Sequence, residues 1–280
     1  MATVTSAPPA GPRKRPRRGG VSPLTLGTAT LWLSIIVLLP LAAVLTKSFD
    51  NGIGGFFSAV TTPRAIATFE VTLLVSFVAA GVNVILGTII AWVLVRDEFP
   101  GKAFVNGLID LPFALPTIVA SLVLLSLYGP GSPIGLTLSA TKWGVILALA
   151  FVTLPFVVRA VQPVLIELER DVEEAAASLG ANNAVIFRRV VLPALLPAIL
   201  SGAGLAFARA IGEFGSVVLI GGNIPGNTQV ASQLIRERIE VDQPVDAAAL
   251  SVVLLALAFV VLVILRVIGN RFARREERAE

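Results

Sequence analysis

The chain has 280 residues, of which 55% are hydrophobic and only 14% charged, with a formal net charge of +4. That balance points to a polytopic membrane protein and away from an ordinary soluble domain. Cysteine and histidine are both absent, which excludes disulfides, thiolate or imidazole metal sites and Ser–His chemistry.

Residues 1–23 are rich in Pro, Gly and basic side chains, with Arg13, Lys14, Arg15, Arg17 and Arg18 close together. They lack apolar periodicity and read as a disordered basic tail. The first apolar run covers residues 24–45. It exceeds the roughly 7–15-residue core of a cleavable signal peptide, so a retained helix is expected. Further apolar runs follow at about 69–95, 113–128, 144–161, 195–220 and 247–268. Each is near the ~20 residues that cross a ~30 Å hydrocarbon layer, the third and fourth being the shortest. The expectation is therefore an all-α chain with six transmembrane helices, spanning 24–270 and followed by a charged C-terminus at 271–280.

Lysine and arginine set the orientation. One side collects the basic tail, Arg96, Lys102, Arg159, Arg170, Arg188, Arg189 and the C-terminal arginines from Arg266 to Arg278. The other has only Lys47, Arg64, Lys142, Arg236 and Arg238. Both termini and the polar stretch 173–193 are expected in the cytoplasm. The positive charge then reflects membrane orientation, and no basic–aromatic interleaving supports nucleic-acid binding.

The stretch 173–193 is polar but patterned. Leu165, Leu168, Val172, Ala175, Ala176 and Leu179 recur at helical steps. Gly180 is placed to end that helix. Asn182 or Asn183 is placed to cap a second, running through Val185 and Phe187 toward a break at Leu192-Pro193. A capped helix–turn–helix outside the bilayer reads as a docking element, whereas a surface helix resting on headgroups would not begin with Glu167, Glu169, Asp171, Glu173 and Glu174. The series Glu174-Ala175-Ala176, three residues, Gly180, nine residues, then Val190-x-Leu192-Pro193 resembles the EAA loop of permease subunits of binding-protein-dependent ABC importers. Valine stands at 190 where that family more often has isoleucine. The resemblance implies the type I importer permease fold and makes 165–193 a coupling loop that docks on an ATP-binding subunit. Glu174, Ala175, Ala176, Gly180, Leu192 and Pro193 would then carry the coupling. No GxxxxGK[ST] run is present, so ATP and magnesium are expected on a partner, with no cofactor and no enzymatic chemistry on this chain.

Two further segments bear on cargo. In the fifth apolar run, Gly204, Ala208, Gly212 and Ser216 form a small-residue stripe at four-residue spacing. Arg209 and Glu213, also four apart, share a helix face. The pair reads either as a neutralised packing contact or as a translocation-path position, because ionisable groups at membrane depth face protein or water. Residues 110–120, DLPFALPTIVA, place Pro112 and Pro116 at a helix entry. Missing backbone donors there leave a loosened segment suited to lining a path, with Thr117 beside it, or simply a proline-broken helix start. Asp110 is expected near Lys102. Asn83, Gly87 and Ala91 share a face read as helix packing, and 221–246 reads as a mixed-charge connector or a contact for a binding protein.

DLPFALPT and ARAIGEFG (208–215) resemble segments of the T-type subunit of sulfate/thiosulfate permeases, the resemblance running from about 31 to 271. It implies a second, W-type permease, two ATP-binding subunits, an extracytoplasmic sulfate-binding protein, a bacterial cell-membrane location and alternating-access import. A molybdate or tungstate permease, and an ion-gradient-driven secondary transporter, are the alternatives.

Overall fold

The computed structural model describes residues 23–276. The expected tail lies almost wholly outside the described residues, as do residues 277–280. All regular structure among the described residues is helical. Helix α1 (Leu24–Lys47) is strongly apolar and contains a π turn at Ser34–Leu38.

From Val44 onward the chain forms one compact unit. After α2 (Gly52–Val60) comes α3 (Pro63–Arg96), which starts where Thr62 accepts a hydrogen bond from the Ala65 amide and Pro63 occupies the first turn. Two short helices, α4 (Lys102–Ile109) and α5 (Leu111–Ala114), lead to α6 (Thr117–Tyr128). Helix α7 (Lys142–Glu167) is capped by Thr141 at the Gly144 amide. Then come α8 (Arg170–Ser178), α9 (Asn183–Ile211), α10 (Ala231–Glu240) and α11 (Pro244–Glu276).

Five helices are long and apolar enough to cross a membrane: α1, α3, α7, α9 and α11. The expected third span is shorter than the sequence implies. Leu115 and Pro116 are extended, so α6 keeps only 12 residues, about 18 Å at 1.5 Å per residue. The fifth span is displaced toward the N-terminus. It ends at Ile211, and Gly212, Glu213 and Ser216 lie beyond the helix.

Helices α3, α7 and α9 pack as the centre. Asn83 on α3 donates to the Ala150 carbonyl (3.0 Å) and to Thr153 Oγ1 (2.8 Å) on α7, so its buried amide is satisfied. A Cβ at Gly87 would sit 2.9 Å from Val157 Cβ, confirming the packing face expected for 83, 87 and 91. Gly202 lets α9 approach α7 closely: a Cβ there would lie 2.9 Å from Val157 Cα. The expected stripe does not act as one seam: Gly204 faces Leu262 and Leu265 of α11, Gly212 has open space, and Ser216 is in the following loop. Apolar packing forms one cluster around Val75, Leu149, Val217 and Ile220, and another around Leu94, Val161, Leu165, Val191 and Leu195.

Candidate functional site

The helix–turn–helix of 165–193 exists, with two changes from its expected form. The first helix is not continuous from Leu165. Helix α7 stops at Glu167, Leu168 is extended (φ −71°, ψ 105°), and α8 restarts at Arg170. Leu165 is therefore core, while Val172, Ala175 and Leu179 are exposed. Gly180 has φ +87°, the left-handed conformation that glycine adopts without a Cβ penalty. Asn182 Oδ1 then accepts from the Val185 amide at 2.9 Å and starts α9. There is no break at Leu192-Pro193. A π turn at Phe187–Val191, closed by the Leu192 amide on the Phe187 carbonyl, absorbs the proline and carries the helix on into the membrane span. At the tip, Leu179 is 90% exposed beside Gly180, and Glu174 and Ala175 are exposed on α8 while Ala176 is half-buried against the core.

Sequence reasoning missed the arginines that anchor this end. Arg96, closing α3, pairs with Glu173 on α8 and donates to the Leu168 carbonyl at 3.1 Å. Arg159 on α7 grips both carboxylate oxygens of Asp110 and donates to Asn106 Oδ1 (2.8 Å) and the Asn106 carbonyl (2.9 Å). Asp110 is thus held by Arg159, not by Lys102, whose partner is Glu98 at 2.9 Å. The signal was present: an arginine toward the end of an apolar run needs a partner. Spacing alone does not say that it lies 49 residues back.

The two cargo segments meet. A Cβ at Gly215 would collide with Thr117 Oγ1, so the loop after α9 lies directly on the first turn of α6. One turn on, Ser121 Oγ accepts from the amides of Leu219 (3.1 Å) and Ile220 (3.3 Å). Arg209 and Glu213 form an ion pair, as their spacing implies, although Glu213 lies past the helix end. Its side chain is only 2% exposed and also accepts from the Ser216 amide at 2.9 Å. Pro116 is exposed and Thr117 half-buried, whereas Pro112 is buried and remote from this contact, on the turn that follows Asp110. The structure therefore brings Thr117, Arg209 and Glu213 to one loop–helix region and leaves Pro112 with the Arg159 cluster.

The opposite end is closed by Arg64, whose two terminal nitrogens donate to the two oxygens of Glu237 while Nε donates to Gln229 Oε1 at 3.0 Å. This fork holds the Glu237 carboxyl below its ordinary 4.5, against the opposing effect of partial burial. Beside it is a cleft of about 270 Å³ lined by Phe214, Asn223, Gln233 and Arg236 among others. Arg236 lies 5.0 Å over the Phe214 ring. Among the described residues, no cluster of acidic side chains is arranged to hold a metal ion.

Residues 83–277 match the family described as the binding-protein-dependent transport system inner membrane component. The chain is 46% identical over 253 residues to a sulfate transport system permease protein CysT of Synechocystis, covering 87% of this chain and 88% of that one. It is 42% identical over 260 residues to the Escherichia coli protein of the same description, covering 90% and 94%. Among solved structures, a bacterial ABC transporter involved in alginate import superposes with a TM-score of 0.71 at 14% identity, over 89% of this chain and 94% of that one. The inward-facing MetNI methionine ABC transporter gives 0.55 at 19% identity, over 75% and 94%. The fold, the EAA-type turn and these matches agree, and the chain belongs to the family of inner-membrane components of binding-protein-dependent transport systems, as a multi-pass transport permease subunit.

Proposed function

We propose that this permease subunit imports sulfate or thiosulfate across the bacterial cell membrane by alternating access, coupled to a separate ATPase. The reading is carried by identity of 42–46% over nearly the whole chain to sulfate transport permeases. Its assembly would contain a second, W-type permease, two ATP-binding subunits and an extracytoplasmic sulfate-binding protein. The chain would cross the membrane six times, α6 with the turns of α4 and α5 supplying the crossing beyond the five long helices. Both termini and the coupling loop 165–193 would lie in the cytoplasm, with a membrane domain at 24–270.

Glu174, Ala175, Ala176, Gly180, Leu192 and Pro193 form the proposed coupling element. Support comes from the small, exposed surface of α8, the protruding Leu179, and a turn that glycine's left-handed backbone makes tight. The proposed path uses Arg209, Glu213, Pro116 and Thr117. Thr117 Oγ1 has no hydrogen-bond partner among the described residues, and Arg209 keeps 40% of its side chain exposed while paired, so both retain donors for an oxyanion. Pro112 is the weakest member, since its surroundings are structural. The test is reconstitution with the partner ATPase and binding protein in vesicles, with labelled sulfate and molybdate in competition. ATP-dependent sulfate uptake is expected. Molybdate preference would reassign the cargo, and flux by this chain alone would overturn the ABC mechanism.

A further inference from the structure

Among the described residues, three ion pairs outside the proposed path join positions far apart in the chain: Arg64–Glu237, Arg159–Asp110 and Arg96–Glu173. The first ties α3 to α10, and the second ties α7 to the turn between α4 and α5. The third alone joins the coupling helix to a membrane helix, and it does so across a break in the chain. Arg96 is in the last turn of α3. Its guanidinium pairs with Glu173 on α8 and donates to the carbonyl of Leu168, the extended residue between α7 and α8. Arg170 Nη2 returns a bond to the Arg96 carbonyl at 3.0 Å. The two segments therefore hold one another by reciprocal contacts.

A second contact reaches the other arm of the turn. The Arg96 guanidinium lies 5.8 Å over the Trp92 ring, one helical turn earlier, and Trp92 packs edge-on against Phe187 of α9 at 5.9 Å. Both arms of the helix–turn–helix thus converge on a single turn of α3. The side chains of Arg96 and Glu173 are 11% and 21% exposed, so water does not readily replace either partner. A flexible junction at Leu168 would let α8 move independently of the membrane helices, and this contact removes that freedom.

We propose that Arg96, through Glu173 and the Leu168 carbonyl, is the positioning residue that transmits movement of the coupling helix to α3 and hence to the central α3–α7–α9 packing. The proposal rests on the coupling role assigned to 165–193. Without the latch, α8 swings on its Leu168 junction, and a displacement delivered by the ATPase is lost there.

The test uses the whole transporter, reconstituted in vesicles, and reads ATP hydrolysed per anion imported. Glu173→Gln and Arg96→Gln should each raise that ratio about tenfold, within the usual span of coupling between sites. Retention of the ATP-binding subunit on an affinity tag should be unchanged. The reversed pair, Arg96→Glu with Glu173→Arg, should recover much of the ratio, because the charges still meet. A wild-type ratio in both single variants overturns the proposal. So does loss of the ATP-binding subunit from either, which would make the pair part of the docking surface. Gly180→Val separates the two readings. If it uncouples while the Arg96 and Glu173 variants do not, only the latch falls; if none uncouples, the coupling role of 165–193 falls with it.

Discussion

Gly215 lies so close to Thr117 that no side chain fits between them. One residue belongs to the loop leaving α9 and the other to the first turn of α6, nearly 100 positions earlier in the chain. The contact locks the loop after α9 onto α6, and on the proposed path it would form part of the wall. Gly215→Ala should lower thermal stability by about 1–3 kcal/mol through overpacking and reduce uptake. Pairing it with Thr117→Ala, which removes the colliding hydroxyl, should recover part of the stability, with a coupling energy of roughly 0.5–3 kcal/mol. A double-mutant cycle on detergent melting temperatures measures it, and additive losses would contradict the contact.

The Arg209–Glu213 pair separates packing from transport. Replacing both by their neutral amides, Arg209→Gln with Glu213→Gln, leaves no unpaired charge at the buried Glu213 position. The double variant should assemble normally yet lose uptake by tenfold or more, about 1.4 kcal/mol in the transition state. Normal uptake would reduce the pair to a packing contact.

Acid should weaken the Arg64–Glu237 cluster. Because Arg64 holds the Glu237 carboxyl below its ordinary 4.5, its contribution is complete above that value and fades as pH falls through the lowered one. Melting temperatures of wild type and Glu237→Gln should differ by a constant amount from neutral pH down to about 4.5, then converge under stronger acid.

Arg159→Lys tests the fork at Asp110. Lysine keeps the charge but not the planar donor set that reaches both carboxylate oxygens and Asn106 together. The expected loss is about 1.5–3 kcal/mol, the worth of hydrogen bonds to charged groups, with loosening of α4 and α5 measured by hydrogen exchange. Equal stability would mean that the charge alone suffices.

Gly180→Asn should be tolerated and Gly180→Val should not. Asparagine visits the left-handed region, whereas a β-branched residue at φ +87° is strained by roughly 1–3 kcal/mol. Transport measured per ATP should fall only in the second.

What the sequence made legible was local. Gly180 and Asn182 act at the positions their chemistry implies, because turn and cap are decided within a few residues. Asn83 and Gly87 likewise betray a packing face by spacing alone. Helix ends were read poorly where apolar composition continues past them. In Gly212–Ile220, Glu213 pairs at helical spacing with Arg209 and Val217–Ile220 stay apolar, so the pattern runs on past the point where α9 stops at Ile211. The partners of Arg64, Arg96 and Arg159 were illegible for a different reason: each is 49 or more positions away, and long-range pairing leaves no periodic trace.

The π turn at Phe187–Val191 has one more consequence. By letting the helix pass Pro193 unbroken, it makes one continuous helical rod of 29 residues from Asn183 to Ile211, about 43 Å long. A rod pivoting near its buried middle moves its two tips in opposite directions. A tilt of about 5° about that middle moves each tip by roughly 2 Å, and it shifts Arg209 against Glu213, which belongs to the loop and not to the rod. Leverage of that kind needs no hinge inside the membrane.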